Sequence, residues 1–186
     1  MGSMITITGQ QIDFLHPEKT KVLPRDLCQG LQYEHRYGGH IGPYNVLSHL
    51  LFCKRMAEAW GYSPLEIAMC AAHDLHEAYT KDISSPMKEV LGEAWRRIEE
   101  PWERHVLTSV GFQWPIPPDL YQKYKKVDKR ALVVETAYFE FPLYDYVSQG
   151  DVESVTPTEI DMLRRVLMLE PHEKWQEVWG AVGMAR

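Results

Sequence analysis

The chain has 186 residues, of which 45% are hydrophobic and 25% charged, and these values are those of one ordinary globular domain. Its formal net charge of −6 argues against a sequence-independent binder of nucleic-acid polymers, because such proteins need a basic face that displaces counterions from phosphates. A small anionic ligand is not excluded, since a few local cations or one metal ion suffice to bind it.

The sequence has no stretch near the roughly 18 apolar residues of a membrane span, and its start lacks a basic region followed by an apolar one. Cys28, Cys53 and Cys70 form no C-x-x-C pair, which is typical of reduced thiols in a cytosolic protein. We therefore expect a cytoplasmic protein with no membrane partner. Residues 1–3 resemble an appended extension before Met4, so residues 4–186 are expected to form a single domain.

The first predicted elements are a hairpin and a helix. Apolar residues alternate over 5–14, which predicts a strand, a turn and a second strand. Leucines at a spacing of four predict a helix over 24–32, with Pro24 in its first turn and Asp26 exposed. Residues 36–43 contain three glycines and a proline, so we expect a loop there.

The next two predicted helices are mostly apolar. Apolar residues at spacings of three and four predict a helix over 45–60 that ends at Gly61. A serine, a proline and Glu66 form the pattern of a capping box, which predicts a second helix over 64–79. Small residues cover most of this second helix, so we expect it to be the central one.

The remaining predicted helices are amphipathic and span 87–111 with an interruption near Pro101, 121–138, 157–169 and 171–182. Loops are expected at 82–86 and at the proline-rich segment 114–118. The sequence therefore predicts an all-α fold, a helical bundle with a short N-terminal β-hairpin.

Candidate metal ligands cluster at the end of the predicted central helix. At about 100° per residue, His73, Asp74 and Glu77 fall on one helix face within a single turn. Imidazole nitrogen and carboxylate oxygen can bind one cation, and they suit zinc, manganese, iron or cobalt. Other helices must supply the missing ligands, and His49 and Asp128 are candidates, although each alone is more typical of a core histidine or a solvated salt bridge.

Several segments, taken in order, resemble motifs of the HD-domain phosphohydrolases. Residues 44–49 resemble the family's N-V-x-x-H motif, residues 72–78 resemble H-D-x-x-E-A, and residues 80–88 resemble T-x-D-x-x-x-P-x-K. The resemblance extends over about residues 5–138 and implies an HD-domain helical bundle. It also implies one divalent transition metal (Mn, Co, Zn or Fe), or Mg²⁺ with a triphosphate substrate, held by His49, His73, Asp74 and Asp128.

Within this family the chain is most similar to the small 5′-deoxynucleotidases and to phage-type deoxynucleoside triphosphohydrolases. Those enzymes carry an arginine followed by an aromatic residue before the first ligand, which matches Arg36 and Tyr37. The resemblance implies that Arg36, Lys88 and Lys125 bind phosphate oxygens and that Tyr37 lies beside the base and sugar. Tyr37 stands where the family usually has tryptophan and is followed by two glycines, so the base preference stays open.

These parts imply a hydrolytic reaction, because a water on a divalent cation has a lowered pKa and can attack a phosphorus atom. Glu77 would transfer a proton, and Asp82 would orient the sugar or a second water. We expect release of phosphate from deoxynucleoside 5′-monophosphates or of triphosphate from deoxynucleoside triphosphates. The alternative is a degenerate member that senses a nucleotide or a metal without turnover. His40, in the glycine-rich loop, is an alternative ligand.

An apolar stripe near the end of the sequence bears on assembly. Trp175 and Trp179 are four residues apart on a predicted helix, which would leave aromatic surface in water unless a second chain covered it. We therefore expect a homo-oligomer, either a dimer or a larger closed ring.

Overall fold

The structure is a computed structural model that describes residues 4–143 and 146–183. The described residues are mostly helical and include one two-stranded antiparallel hairpin, formed by β1 (Met4–Ile5) and β2 (Gln11–Ile12). The prediction of an all-α fold with a short N-terminal hairpin is therefore confirmed. The prediction for residues 1–3 lies outside the described residues.

The α-helices of the described residues are α1 (Pro24–Tyr33), α2 (Val46–Ala59), α3 (Pro64–Cys70), α4 (Glu77–Thr80), α5 (Ser85–Leu91), α6 (Glu93–Ser109), α7 (Pro118–Tyr138), α8 (Gln149–Glu153), α9 (Pro157–Leu167) and α10 (Pro171–Gly183). The short helix α8 was not predicted from the sequence.

The hairpin is fastened to α1 by a buried carboxylate. Asp26 accepts hydrogen bonds from the backbone N–H of Thr8 at 3.1 Å and from the Thr8 hydroxyl at 2.7 Å. It also accepts one from the Gln10 amide at 2.7 Å. The prediction that Asp26 is exposed was wrong, because its carboxylate satisfies donors of the turn between the two strands.

Helix α2 is the centre of the bundle. Its residues Val46 to Lys54 are all buried, and it packs against α1, α3, α7, α9 and α10. A helix surrounded in this way must be apolar on nearly every face. The prediction that the helix over 64–79 would be central was therefore wrong.

The predicted helix over 64–79 is interrupted. Helix α3 begins with the predicted capping box but ends at Cys70, and turns connect it to α4. The N–H groups of Ala72 and Leu75 bond to carbonyls three residues earlier, which tightens the chain beyond an α-helix. In addition, the ring Nδ1 of His73 binds the carbonyl of Cys70, the group that the next helical turn would have used.

The break in the predicted helix over 87–111 lies elsewhere than expected. It occurs at Gly92, where φ is +54° and only glycine is free of steric cost, while Pro101 lies inside α6. The prediction of a break near Pro101 was therefore wrong. The connection at 114–118 and the two C-terminal helices lie close to where the sequence placed them.

Helices α1 and α4 approach each other closely at Gly30. A Cβ atom added to Gly30 would lie 2.6 Å from the carbonyl oxygen of Ala78, nearer than Cβ atoms come to other atoms in real proteins. Glycine is thus required for the observed packing. Because α4 begins with Glu77, this contact also fixes the position of that carboxylate.

Two further sequence expectations concern surfaces. Among the described helices, none is both long and apolar enough to cross a membrane. The rings of Trp175 and Trp179 stack with centroids 5.1 Å apart and are half-buried against the core of the same chain. This stripe therefore needs no second chain to cover most of it, and the homo-oligomer stays a prediction.

Candidate metal centre

His49 is held in one orientation by a buried carboxylate. It lies in the first turn of α2, and its Nδ1 is 2.6 Å from Oε1 of Glu135 on α7. Burial acts to raise the pKa of Glu135, but Arg36 and His49 outweigh that effect and lower the pKa to about 2. An ionised carboxylate at Nδ1 favours the N–H there, so the Nε2 lone pair faces the opposite side of the ring.

His73 is oriented in a similar way by the backbone. Its Nδ1 donates to the carbonyl oxygen of Cys70 at 3.0 Å, so Nε2 is the ring nitrogen that can bind a metal ion once it gives up its proton. Among the described residues, no partner meets hydrogen-bond geometry at this Nε2, although Asp74 Oδ2 is only 3.3 Å away. A buried polar atom without a partner is costly, so this nitrogen calls for a ligand.

The four predicted metal ligands come together at one point. His49 Nε2 is 3.3 Å from Asp128 Oδ1 and 3.7 Å from Asp74 Oδ2. His73 Nε2 is 3.3 Å from Asp74 Oδ2 and 3.8 Å from Asp128 Oδ1. Ligand atoms that bind one ion at about 2.0–2.2 Å are roughly 3.0–3.6 Å from one another. The four imidazole–carboxylate separations are thus near the range expected for ligands of one cation.

The electrostatics of this group favour positive charge. Burial lowers the pKa of His73, but Asp74 and Asp128 outweigh it and raise the pKa to about 10. Burial raises the pKa of both aspartates, whereas the two histidines outweigh it and hold those pKa values well below the usual range. The carboxylates therefore stay ionised and attract a cation to the space between the rings.

A thiol also belongs to this group. His49, Cys53 and His73 are buried, and their ligand atoms all lie within 4.8 Å of one another, so the three residues can hold a metal ion. The sequence analysis did not single out Cys53 as a ligand. Its spacing of four residues from His49 on one helix was the available signal, because that spacing places two side chains on the same face.

Glu135 connects the histidine to the loop that precedes α2. Its carboxylate accepts hydrogen bonds from the hydroxyls of Tyr44 at 2.8 Å and Tyr37 at 2.9 Å. The guanidinium Nε of Arg36 lies 3.5 Å away. The sequence analysis missed Glu135 as well, although it lies seven residues after Asp128 and hence on the same face of α7.

Arg36 and Tyr37, the predicted substrate-binding pair, lie beside the ligand group. Arg36 Nη1 is 3.7 Å from Asp74 Oδ2, and the Arg36 side chain is only 12% exposed. Tyr37 has a φ of +56°, a left-handed conformation that is uncommon for residues other than glycine. Backbone strain of this kind clusters at functional sites and persists only where contacts such as the Glu135 hydrogen bond hold it.

The predicted phosphate-binding lysines lie on two other elements. Lys125 on α7 is 3.2 Å from Asp128 Oδ2, and Lys88 on α5 is 2.5 Å from Glu99 Oε1 on α6. Burial lowers the pKa of each lysine, but the neighbouring carboxylates outweigh it and raise both pKa values. Both ammonium groups are therefore charged, and Lys88 is paired with Glu99 in this structure.

Glu77 and Asp82 also lie close to the ligand group. Burial raises the pKa of Glu77 well above its usual value, and the charges of Asp74 and Asp82 add to the effect. Burial also raises the pKa of Asp82, while Arg36 opposes the shift. Among the described residues, the Oε2 atom of Glu77 is buried without a hydrogen-bond partner.

The alternative ligand His40 lies elsewhere. It is an exposed residue of the glycine-rich loop, at the end of the 3₁₀ turn Arg36–Gly39. The close contacts among the ligand atoms are made by His49 and His73 instead.

No known family model matches the chain. It is 27% identical over 137 residues to the uncharacterized protein YfdR of Escherichia coli (strain K12), a match that covers 73% of this chain and 71% of that protein. The resemblance to HD-domain phosphohydrolases therefore rests on the sequence motifs alone.

Proposed function

We propose that the chain is a metal-dependent phosphohydrolase of the HD-domain type that acts on deoxynucleotides. The product is phosphate from deoxynucleoside 5′-monophosphates or triphosphate from deoxynucleoside triphosphates. The proposal rests on one observation. Two imidazole Nε2 atoms and two ionised carboxylates come from α2, the α3–α4 turn and α7, and each Nε2 lies 3.3–3.8 Å from an oxygen of both carboxylates. A purely structural cluster would pair these atoms with one another, whereas Nε2 of His73 has no hydrogen-bond partner among the described residues.

The donor set fits one divalent cation of the manganese, cobalt, zinc or iron class, with His49, His73, Asp74 and Asp128 as its ligands. When bound, such a cation activates a water and neutralises charge on the attacked phosphoryl group. The side chains of Asp74 and Asp128 are 17% and 23% exposed. A substrate would therefore reach the proposed centre from the side of these two aspartates.

The cationic side chains around the centre suit a phosphate. Arg36 offers forked N–H donors next to Asp74, and Lys125 offers an ammonium next to Asp128. Lys88 would exchange its contact with Glu99 for a phosphate oxygen. The ring of Tyr37, fixed by its hydroxyl on Glu135, would lie beside the base and sugar.

Glu77 is our candidate for proton transfer. Its Oε2 has no hydrogen-bond partner among the described residues, and its carboxyl interacts electrostatically with Asp74, a proposed ligand. Its raised pKa favours the protonated carboxyl, and the ionised form would take the proton of the attacking water as the oxygen–phosphorus bond forms and return it to the leaving group. Asp82, which interacts with Arg36, would orient the sugar or a second water.

The test is a turnover assay with Mn²⁺, Co²⁺ or Mg²⁺ and a panel of deoxynucleoside mono- and triphosphates. Inorganic phosphate and triphosphate are measured separately, because they distinguish the two substrate classes. His73→Ala and Asp128→Ala should lose both metal and turnover, while His172→Ala, which changes an exposed histidine on α10, should retain both.

Two results would contradict this function. Metal content that is unchanged in His73→Ala and Asp128→Ala would remove the ligand assignment. Tight metal or nucleotide binding by the wild type without any turnover would instead favour the sensor.

A further inference from the structure

A thiol lies on the buried side of the two histidines. Cys53 Sγ is 3.5 Å from His49 Nε2, and it lies within 4.8 Å of a ring nitrogen of His73. With metal–sulfur bonds of about 2.3 Å and metal–nitrogen bonds of about 2.0 Å, a tetrahedral ion holds sulfur and nitrogen roughly 3.5 Å apart. The Cys53–His49 separation therefore already fits two ligands of one ion.

A second, independent observation points to a ligand at this place. His73 is 2% exposed, and its Nε2 has no hydrogen-bond partner among the residues that the structure describes. An ion between Cys53, His49 and His73 would satisfy this nitrogen, as an ion between the histidines and the aspartates would.

The two histidines thus belong to two overlapping ligand sets. The outer set adds Asp74 and Asp128, whose side chains are partly exposed, and the inner set adds Cys53, which is fully buried. Carboxylate oxygens are hard donors that suit manganese or magnesium, whereas a thiolate selects softer ions such as zinc or cadmium.

We propose that Cys53 is a ligand for thiophilic ions, which His49, Cys53 and His73 hold on the buried side of the centre, with Asp128 as the fourth ligand. The inference rests on the proposed metal centre and adds a regulation to it. Binding breaks the S–H bond, forms the sulfur–metal bond and releases the proton to water. Four protein ligands close the coordination shell, as in structural zinc sites, so cadmium inhibits an enzyme that Mn²⁺ activates.

The test is a titration of metal-free protein with Cd²⁺, followed by the ultraviolet sulfur-to-cadmium charge-transfer absorption, and a parallel titration with Mn²⁺ by calorimetry. Removing an outer-shell partner of a metal site costs roughly 10–100-fold in affinity, so losing a direct ligand should weaken Cd²⁺ binding by at least about tenfold. We expect the absorption in the wild type, its loss in Cys53→Ser and Cys53→Ala, and Mn²⁺ affinity that changes far less.

Cys70→Ser is the matched control, because Cys70 is also a buried free thiol but lies outside the group of ligand atoms. It should keep the absorption. Cys53→Ser buries a hydroxyl and could misfold for that reason, so Cys53→Ala, which has no hydroxyl, is measured beside it. Circular dichroism checks the fold of each variant. Cadmium inhibition, expressed relative to each variant's own Mn²⁺-dependent rate, should weaken in Cys53→Ala.

The outcomes separate the two proposals. Mn²⁺ binding without the cadmium absorption in the wild type, or an absorption that persists in Cys53→Ala, would overturn the role of Cys53 and leave the four-ligand centre intact. Failure of the wild type to bind either ion would overturn both.

Discussion

Nδ1 of His49 lies 2.6 Å from Oε1 of Glu135, and both side chains are fully buried. The same carboxylate accepts hydrogen bonds from Tyr37 and Tyr44 and lies 3.5 Å from Arg36. One buried group therefore orients a proposed metal ligand and the two residues that we expect to meet the substrate. Such outer-shell carboxylates fix the tautomer and the direction of a ligating histidine.

The first prediction concerns this carboxylate. Glu135→Gln keeps the size of the side chain but removes its charge, so His49 loses the group that holds the proton on Nδ1. We expect Mn²⁺ affinity to fall roughly 10–100-fold, measured by calorimetry on metal-free protein. Glu100→Gln, an exposed change on α6, is the control. Equal affinities for Glu135→Gln and the wild type would contradict the role of Glu135.

The sequence predicted which residues the structure brings close together at the proposed centre better than it predicted their surroundings. The predicted ligands lie in segments that are far apart in the chain: His49, His73, Asp74 and Asp128. The order of the motifs predicted that these residues form one site. Glu135 was missed because its partners are long-range: Tyr44 is 91 residues away in sequence. Its spacing of seven residues from Asp128 was the local signal on α7, and that spacing alone does not distinguish a buried carboxylate from a charged residue of a solvated face.

The sequence also failed to predict the interruption of the helix over 64–79, and the reason is different. Small apolar residues such as Ala71 and Ala72 favour a continuous helix, so local helix propensity does not indicate a break in this segment. The break coincides with a side-chain bond from His73 to the carbonyl of Cys70, which a periodic pattern does not reveal. The homo-oligomer, the native metal and the substrate class stay predictions.

The second prediction separates metal binding from proton transfer at Glu77. Glu77→Gln cannot accept a proton, so kcat should fall by roughly 10²–10⁴-fold while Mn²⁺ affinity is retained. The assay is turnover at rising Mn²⁺ concentration, compared with a direct measurement of bound metal. Full rescue of activity by excess Mn²⁺ would show that Glu77 supports the metal site and is not the proton-transfer group.

The third prediction concerns substrate affinity at Arg36. Arg36→Ala removes a charge-assisted contact worth about 1.5–3 kcal/mol, so kcat/KM should fall roughly 10–100-fold, mainly through KM. Steady-state kinetics with the best deoxynucleotide measures this. Arg25→Ala, which changes an exposed residue of α1, should leave the kinetics unchanged. Identical KM values for Arg36→Ala and the wild type would rule out Arg36 as a phosphate ligand.

The fourth prediction is a pH dependence of stability at the α7–α9 contact. Arg130 Nε and Nη2 donate to the two carboxylate oxygens of Glu159 at 2.7 and 2.8 Å. Burial acts to raise the pKa of Glu159, but Arg130 and Thr156 outweigh it and lower the pKa from 4.5 to about 2. The folded state thus holds this carboxylate ionised at a pH where the unfolded chain takes up a proton.

A lowered folded pKa stabilises the protein fully above pH 4.5, and the contribution is lost as the pH falls towards 2. Glu159→Gln should therefore lower the free energy of unfolding at neutral pH by about 0.5–1 kcal/mol, a value reduced for solvent screening. The difference from the wild type should shrink in acid. Urea unfolding at several pH values measures it, with Asp161→Asn, which changes a half-exposed carboxylate of α9 paired with Arg165, as the control for loss of a surface ion pair. A difference that is constant with pH would refute the assignment.

The last prediction tests whether the close approach of α1 and α4 sets the position of Glu77. Gly30→Ala would place a Cβ atom 2.6 Å from the carbonyl oxygen and 2.8 Å from the Cα of Ala78, so the two helices must move apart. Overpacking of this kind costs about 1–3 kcal/mol, which exceeds the roughly 0.5–1 kcal/mol that alanine gains over glycine inside a helix. We expect a net loss of stability in urea unfolding.

The effect on function should be selective. Helix α4 carries Glu77, whereas the ligands His49 and Asp128 lie on α2 and α7, so kcat should fall more than Mn²⁺ affinity. Gly180→Ala is the matched control: it also lies inside a helix, but an added Cβ meets nothing within 4 Å. That variant should be as stable as the wild type or slightly more stable, because alanine reduces the entropy of the unfolded chain. If Gly30→Ala behaved like Gly180→Ala in both measurements, the close contact at Ala78 would have no part in placing Glu77.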